Sequence, residues 1–259
     1  MSAVVDINCD MGESFGCYTL GSDAECMPHI SSANIACGFH AGDSRTMRET
    51  VERAVAAGVS IGAHPGLPDL QGFGRRPMAM SPDEIHDIVL HQLGALGAFC
   101  KAAGTVVAHV KPHGALSHMA SADMEIARAI ARAAASYDPA MLVYSPTGSR
   151  IGLAAEEFGL KPVSEVYADR TYQDNGLLTP RSRPDALITD VDQAIDQVSM
   201  MVLEGVVIST DGNRVPVLAE SVCVHGDGAH AVEFAARLRE RLEARGVAIA
   251  APARSAEGA

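Results

Sequence analysis

The feature that most constrains the fold is an alternation of short apolar runs with amphipathic stretches along most of the chain. Eight apolar runs have the length and composition of β-strands, and most are separated by a segment with helical spacing. Repeated β-α units imply a parallel sheet, and seven or eight of them predict a closed β/α barrel, with an open doubly wound sheet as the alternative. The predicted strands are Val4–Cys9, Ser32–Cys37, Val59–Ala63, Val106–Val110, Met141–Tyr144, Val163–Tyr167, Val206–Ser209 and Ser221–Val224.

Helix signals lie between most of these runs. Ser81 and Glu84 form a capping box around Pro82, and apolar residues at helical spacing follow. Toward the end of the chain, residues 206–218 are broken at Asp211 and predict a β-hairpin instead. We expect one domain over residues 1–250 and a frayed tail over 251–259. The other predicted helices are Ser44–Ala57, Ala122–Ala135, Val191–Glu204 and Ala229–Ala244.

Charge and composition exclude several classes of partner. The net charge of −12 argues against nucleic acid, and the three lysines are too few to form a basic patch or a polybasic membrane anchor. No apolar run reaches the length of a membrane span, and the first residues lack a signal-peptide pattern. We therefore expect a cytoplasmic protein with a small-molecule substrate, whose six cysteines are reduced thiols.

Several predicted strands carry polar residues on one face, although strands buried in a parallel barrel should be apolar on both. Side chains alternate along a strand, so Asn8 and Asp10 share a face, as do Lys111 and the histidines beside it. One such strand could simply have a face in water. Because the pattern recurs at the carboxyl ends of six strands, where barrels place their chemistry, it favours a shared functional pocket. The strand-end residues are Asn8, Asp10, Glu13, Asn34, His40, His64, Lys111, His113, His225 and Asp227.

Cationic groups in this set have particular uses. Lys111, between two histidines, could polarise a carbonyl or phosphoryl oxygen, or pair with Asp6 or Asp10. Arg75 lies in a glycine-flexed loop and could grip a carboxylate or phosphate, or equally be a surface charge.

Seven segments carry a pattern that can be compared with known families. They are DINCDMGE at 6–13, ANIACGFHAGD at 33–43, GAHPG at 62–66, GFGRR at 72–76, KPHGAL at 111–116, ADRTY at 168–172 and CVHGD at 223–227. Together they resemble the LamB/YcsF family, which supplies the A component of 5-oxoprolinase, and they occur in the family's order over residues 6 to 227. One departure is Ser117-His118, where the family usually has Tyr-Asn.

The resemblance implies a distorted β/α barrel related to glycoside hydrolases and polysaccharide deacetylases. It also implies ATP-dependent opening of 5-oxoproline to L-glutamate, performed with partner subunits B and C. The chain has no phosphate-binding P-loop motif, so we expect the partners to handle ATP.

In that scheme Asp10 is the candidate base for water, and His113 the candidate acid for the ring nitrogen. Lys111 would stabilise charge on the activated oxygen, and Arg75 or Arg170 would hold the substrate carboxylate. The remaining strand-end residues would shape the pocket.

Two other functions fit the same residues. A stand-alone metal-dependent amide hydrolase or deacetylase could hold a divalent ion with Asp10, His40, His64 and His113. A non-catalytic subunit could bind an intermediate for its partners. Retained or lost activity after chelation separates the first from the ATP-dependent reaction.

Overall fold

Strands and α-helices alternate through the computed structural model, which describes residues 3–180, 182–224 and 231–254. The strands are β1 (Val4–Met11), β2 (Ser32–Ala36), β3 (Ser60–His64), β4 (His109–Val110), β5 (Leu142–Pro146), β6 (Lys161–Tyr167), β7 (Val206–Ile208), β8 (Arg214–Pro216), β9 (Ser221–Val224) and β10 (Ala248–Ile249). The α-helices are α1 (Asp23–Cys26), α2 (Ser44–Ala57), α3 (Pro82–Ala102), α4 (Gly114–Ala122), α5 (Met124–Tyr137), α6 (Arg150–Glu157), α7 (Val191–Glu204) and α8 (Ala231–Ala244). A 3₁₀ turn, Met27–His29, follows α1.

Seven parallel strands close into a barrel. They run in the order β1, β2, β3, β4, β5, β6, β9, and β9 pairs with both β6 and β1, which joins the two ends of the sheet. Within the part of the chain that the structure describes, an eighth parallel strand, β10, pairs with the start of β1 alone. The predicted closed barrel is therefore confirmed, and an open doubly wound sheet is excluded.

The segment after α7 departs from the β-α alternation, as expected. Strands β7 and β8 form an antiparallel hairpin in which Val206 pairs with Pro216. They form a separate two-stranded sheet, so the predicted run over residues 206–209 belongs to no barrel strand.

Local sequence signals account for most helix boundaries. Ser81 and Glu84 make the predicted capping box at the start of α3, and left-handed glycines end α2 and α7. Helix α5 begins two residues later than predicted, because Asp123 accepts a hydrogen bond from the backbone N–H of Glu125 and caps it. Helices α4 and α6 and strand β10 are too short to leave a clear periodic pattern, and we did not predict them.

Because side chains alternate along a strand, the apolar and polar side chains of β1 lie on opposite sides of the barrel wall. Ile7 faces outward and belongs to the main hydrophobic core, which also contains Val89 and Leu93 of α3. Each such buried side chain stabilises the fold by about 1.5–3 kcal/mol. Asn8 on the opposite face is also fully buried, so the barrel interior is polar.

The structure bears on two further expectations. Within the described residues, no helix is long and apolar enough to cross a membrane. In the predicted tail, residues 251–254 form no helix or strand, and Arg254 binds the Asp138 carboxylate. Residues 255–259 lie outside the described residues.

Candidate active site

The floor of the barrel interior is built around the Asp6 carboxylate. Ser32 and Tyr144 donate hydrogen bonds to it at 2.8 Å and 3.0 Å, and Ser221 donates at 2.5 Å. Burial raises the pKa of Asp6, and these hydrogen bonds oppose that rise. We considered Asp6 and Asp10 as ion-pair partners of Lys111. Among the described residues, no ion pair joins Lys111 to Asp6.

A second layer above the floor links Asn8, Asn34 and His109. Asn34 donates to the Asn8 side-chain oxygen at 2.7 Å, and its own side-chain oxygen lies 2.7 Å from Nε2 of His109. Burial, with Lys111 and His64 nearby, lowers the pKa of His109 to about 3, so this ring is neutral at pH 7. Gly62 makes room for it, because a Cβ there would lie 2.0 Å from Nε2.

Lys111 occupies the centre of the next layer and pairs with two carboxylates. Its Nζ lies 3.0 Å from Oδ1 of Asp10 and 2.9 Å from Oε1 of Glu165. It also lies 3.1 Å from Oδ1 of Asn8 and 3.0 Å from Sγ of Cys223. Burial alone would lower the pKa of Lys111, but the neighbouring charges outweigh it and raise the pKa well above its usual value. The expected pairing of Lys111 with Asp10 is present, and Lys111 is a fixed cation.

Three histidine rings lie beside this layer. His113 stacks on His40 with ring centroids 3.8 Å apart, and its Nδ1 lies 3.0 Å from Nε2 of His64. Burial and the neighbouring His64 lower the pKa of His113 to about 3, and burial with both other rings lowers the pKa of His40 well below its usual value. His40 and His113 are therefore neutral at pH 7.

The same rings, with a carboxylate, could hold a metal ion. Glu13, His40, His64 and His113 each offer one ligand atom, and these atoms all lie within 4.8 Å of one another. The set differs from the four residues that we predicted, because Glu13 takes the place of Asp10. Asp10 stays adjacent, with Oδ2 at 3.4 Å from Nε2 of His64.

A small pocket of about 110 Å³ opens above these groups at the carboxyl ends of the strands. It brings together six predicted site residues that are far apart in the sequence. Those six are Asp10, Glu13, His64, Arg75, Lys111 and His113.

A second cavity of about 600 Å³ adjoins the pocket, and both are lined by Ser117 and His118. The departure from the family pattern therefore lies on the pocket rim. Arg170 lines the outer cavity only, and its guanidinium donates to the backbone carbonyls of Ala186 and Thr179. That contact fixes the loop in which Thr179 lies.

The remaining predicted residues occupy other places. Asn8 and Asn34 lie beneath the pocket and hold Lys111 and Asp10, and His40 lies behind His113. His225 and Asp227 lie outside the described residues.

Sequence reasoning missed three residues of this region. Glu165 and Tyr167 share one strand face, a signal that was visible but was not carried into the predicted site. His118, to which we assigned no role, lies one helical turn after Gly114 and so reaches the pocket rim.

Known proteins are similar to this chain over nearly its whole length. The chain is 54% identical over 247 residues to a Brevibacillus brevis protein named as the A subunit of 5-oxoprolinase, covering 95% of this chain and 97% of that one. A crystal structure of a lactam utilization protein from Thermus thermophilus has a TM-score of 0.92 and 47% identity, covering 95% of this chain and 99% of that one.

A more distant structure shares the fold alone. The catalytic domain of a peptidoglycan N-acetylglucosamine deacetylase from Eubacterium rectale has a TM-score of 0.50 and 11% identity, covering 98% of this chain and 90% of that one. The barrel thus shares its fold with that deacetylase domain, as expected. Residues 5–257 match the LamB/YcsF family, and the chain belongs to that family.

Proposed function

We propose that this chain is the component of an ATP-dependent 5-oxoprolinase that opens the lactam of 5-oxoproline to give L-glutamate. The observation that carries the proposal is the 54% identity, over 95% of the chain, to a protein named as the A subunit of 5-oxoprolinase. The pocket supports it independently, because a buried cation and a carboxylate meet there at 3.0 Å.

The size of the pocket suits a compact substrate, and one of its cationic side chains can contact an anionic group. Its volume of about 110 Å³ lies below the about 300–1,000 Å³ of pockets that hold drug-sized ligands. Arg75 lines it with an exposed guanidinium 5.0 Å from the Phe73 ring centroid, and in our proposal it binds the substrate carboxylate. Arg170, bound to loop carbonyls, is the weaker candidate for that contact.

ATP would activate the lactam before ring opening. A lactam is a stabilised amide, and a phosphoryl group on its oxygen makes the ring carbon electrophilic. The sequence lacks a P-loop motif, so in our proposal partner subunits B and C bind ATP and this chain receives the activated ring.

Asp10 is the proposed general base. Asn34 and Lys111 hold its Oδ1 at 2.8 Å and 3.0 Å, which fixes the carboxylate at the pocket floor. Asp10 takes a proton from water as the water adds to the ring carbon and passes it to the ring nitrogen, and the hydroxyl proton of the adduct follows the same route as the carbon–nitrogen bond breaks. This leaves the acyl phosphate of glutamate, from which a second water releases glutamate and inorganic phosphate. Lys111 stabilises the negative charge that develops on the phosphorylated oxygen as its bond to carbon breaks.

The geometry changes the role that we propose for His113. Its pKa of about 3 makes the ring neutral at pH 7, and Nε2 lies 2.8 Å from the Phe73 carbonyl oxygen. A neutral ring whose N–H is already engaged is a poor acid, so we assign proton return to Asp10 and a positioning role to His113.

Reconstitution with candidate partner subunits tests the proposal. The complex should form glutamate only with ATP, one molecule for each ATP consumed, and omission of this chain should stop glutamate formation. Asp10→Asn should abolish ring opening while the complex still assembles, whereas Asp87→Asn, at an exposed position on α3, should retain full activity. Full activity of the Asp10→Asn complex would remove Asp10 from the mechanism.

One observation favours a second candidate function, a stand-alone amide hydrolase. The cluster of Glu13 with three histidines offers the ligands of a hydrolytic metal site. A bound divalent ion would supply a Lewis acid. Hydrolysis of amide or acetyl substrates by the isolated chain, without ATP and abolished by chelation, would favour this candidate.

A further inference from the structure

Hydrogen bonds within the protein do not account for how closely the His64 and His113 rings approach each other. Nδ1 of His64 lies 2.6 Å from the Lys111 carbonyl oxygen, and Nε2 of His113 lies 2.8 Å from the Phe73 carbonyl oxygen. A carbonyl oxygen only accepts hydrogen bonds, so both of these nitrogens carry a hydrogen. In neutral rings, the two remaining nitrogens therefore present lone pairs.

Those two lone pairs face each other. Nε2 of His64 and Nδ1 of His113 are 3.0 Å apart, and two acceptors at that distance repel unless a positive charge lies between them. The charge can be a proton or a metal ion. Two nitrogens bound to one tetrahedral Zn²⁺ at about 2.0–2.1 Å would be about 3.4 Å apart, only a few tenths of an ångström more.

His40 supplies an independent indication. The side chain is fully buried, and neither ring nitrogen has a hydrogen-bond partner among the described residues. A Cβ at Gly66 would lie 2.5 Å from Nδ1, so that nitrogen faces backbone, while Nε2 points toward the Glu13 carboxylate at 3.8 Å. Leaving a buried polar atom without a partner destabilises the folded state, and a ligand at Nε2 would remove that penalty.

We propose that Glu13, His40, His64 and His113 form a binding site for one divalent transition-metal ion such as Zn²⁺. Imidazole nitrogens with a carboxylate are ligands that Zn²⁺ accepts, and only neutral imidazoles bind it. The carbonyl contacts of His64 and His113 match the outer-shell hydrogen bonds that orient metal-binding histidines. The inference does not rest on the proposed function, because the site would exist under either candidate activity.

Metal binding to the chelator-stripped full chain tests this site without an activity assay. Co²⁺ should bind with one equivalent and give the visible absorption of a low-symmetry site, and Zn²⁺ should displace it. His113→Gln and Glu13→Gln should each lose at least about 100-fold in affinity, the upper end of what loss of an outer-shell partner costs. His118→Gln, at an exposed histidine on the same pocket rim, is the matched control and should bind as the wild type does.

Two results would overturn the proposal. One is that the wild type shows no saturable binding of Co²⁺ or Zn²⁺ and that ¹⁵N NMR shows both nitrogens of His64 protonated. That result would mean that the positive charge between the two rings is a proton. The other is equal metal affinity in wild type, His113→Gln and Glu13→Gln. Circular dichroism establishes whether each variant is folded. If His113→Gln is not folded, the metal affinity of Glu13→Gln, a change at the half-buried rim, tests the proposal by itself.

Discussion

Replacing Lys111 by methionine should strongly destabilise the fold, because two buried carboxylates share this one cation. The Lys111 side chain is 6% exposed, and those of Asp10 and Glu165 are 14% and 1% exposed. Methionine fills nearly the same volume, so the change removes charge more than packing. Removing one partner of a buried ion pair costs about 3–5 kcal/mol, a large share of the about 5–15 kcal/mol that stabilises a typical domain.

Urea denaturation followed by circular dichroism measures this loss. Adding Glu165→Gln to Lys111→Met should restore part of the stability. Lys101→Met, at an exposed position on α3, is the control and should change stability by less than about 0.5 kcal/mol.

A deficit below about 1 kcal/mol for Lys111→Met would refute the reasoning. Such a result would mean that water or a rearranged side chain solvates Asp10 and Glu165 as well as Lys111 does. The same would follow if the double variant were less stable than Lys111→Met alone.

Three further predictions concern stability, each measured by urea denaturation. Gly62→Ala should lower the free energy of unfolding by at least about 1–3 kcal/mol, because its Cβ would overlap the His109 ring. Gly94→Ala, with open space around it, should leave that free energy unchanged or raise it by up to about 1 kcal/mol, and equal effects of the two changes would contradict this reasoning. The pKa of His109 is about 3 in the folded state and about 6.5 in the unfolded state, so the unfolded state binds a proton first as the pH falls. The free energy of unfolding should therefore fall by up to about 1.4 kcal/mol per pH unit below pH 6.5, and His109→Gln should flatten that slope. Ser81→Ala should cost about 1 kcal/mol by removing the α3 cap, and an unchanged midpoint would show that the cap is dispensable.

The sequence predicted which strand faces are polar, since side chains alternate with a period of two whatever the fold. Asn8, Asp10 and Lys111 accordingly lie inside the barrel. The contact of Lys111 with Glu165 could not be predicted in the same way. It joins residues 54 positions apart, one directly after β4 and the other in β6, and depends on the tertiary arrangement of these strands rather than on local spacing.

The site also depends on features with no periodic signal. The orientation of His113 is set by the Phe73 carbonyl in a loop, and Phe73 itself has a left-handed φ of 54°. Loop geometry of this kind follows from tertiary packing rather than from local spacing. For that reason the sequence predicted that His113 belongs to the site, but it could not predict which of the two ring nitrogens faces His64.

The polar layer beneath the pocket explains how the position of Asp10 is fixed. His109 contacts the Asn34 side-chain oxygen, which turns the Asn34 amide nitrogen toward Asp10 and Asn8. Asn8 in turn donates to Glu165 at 3.0 Å, so the two carboxylates that flank Lys111 are joined through one hydrogen-bonded layer. Because each amide has a defined donor and acceptor side, reversing one of them would place two acceptors or two donors together. The layer therefore holds the Asp10 carboxylate in a single orientation before any substrate binds, which is what a base at a fixed distance from its water requires.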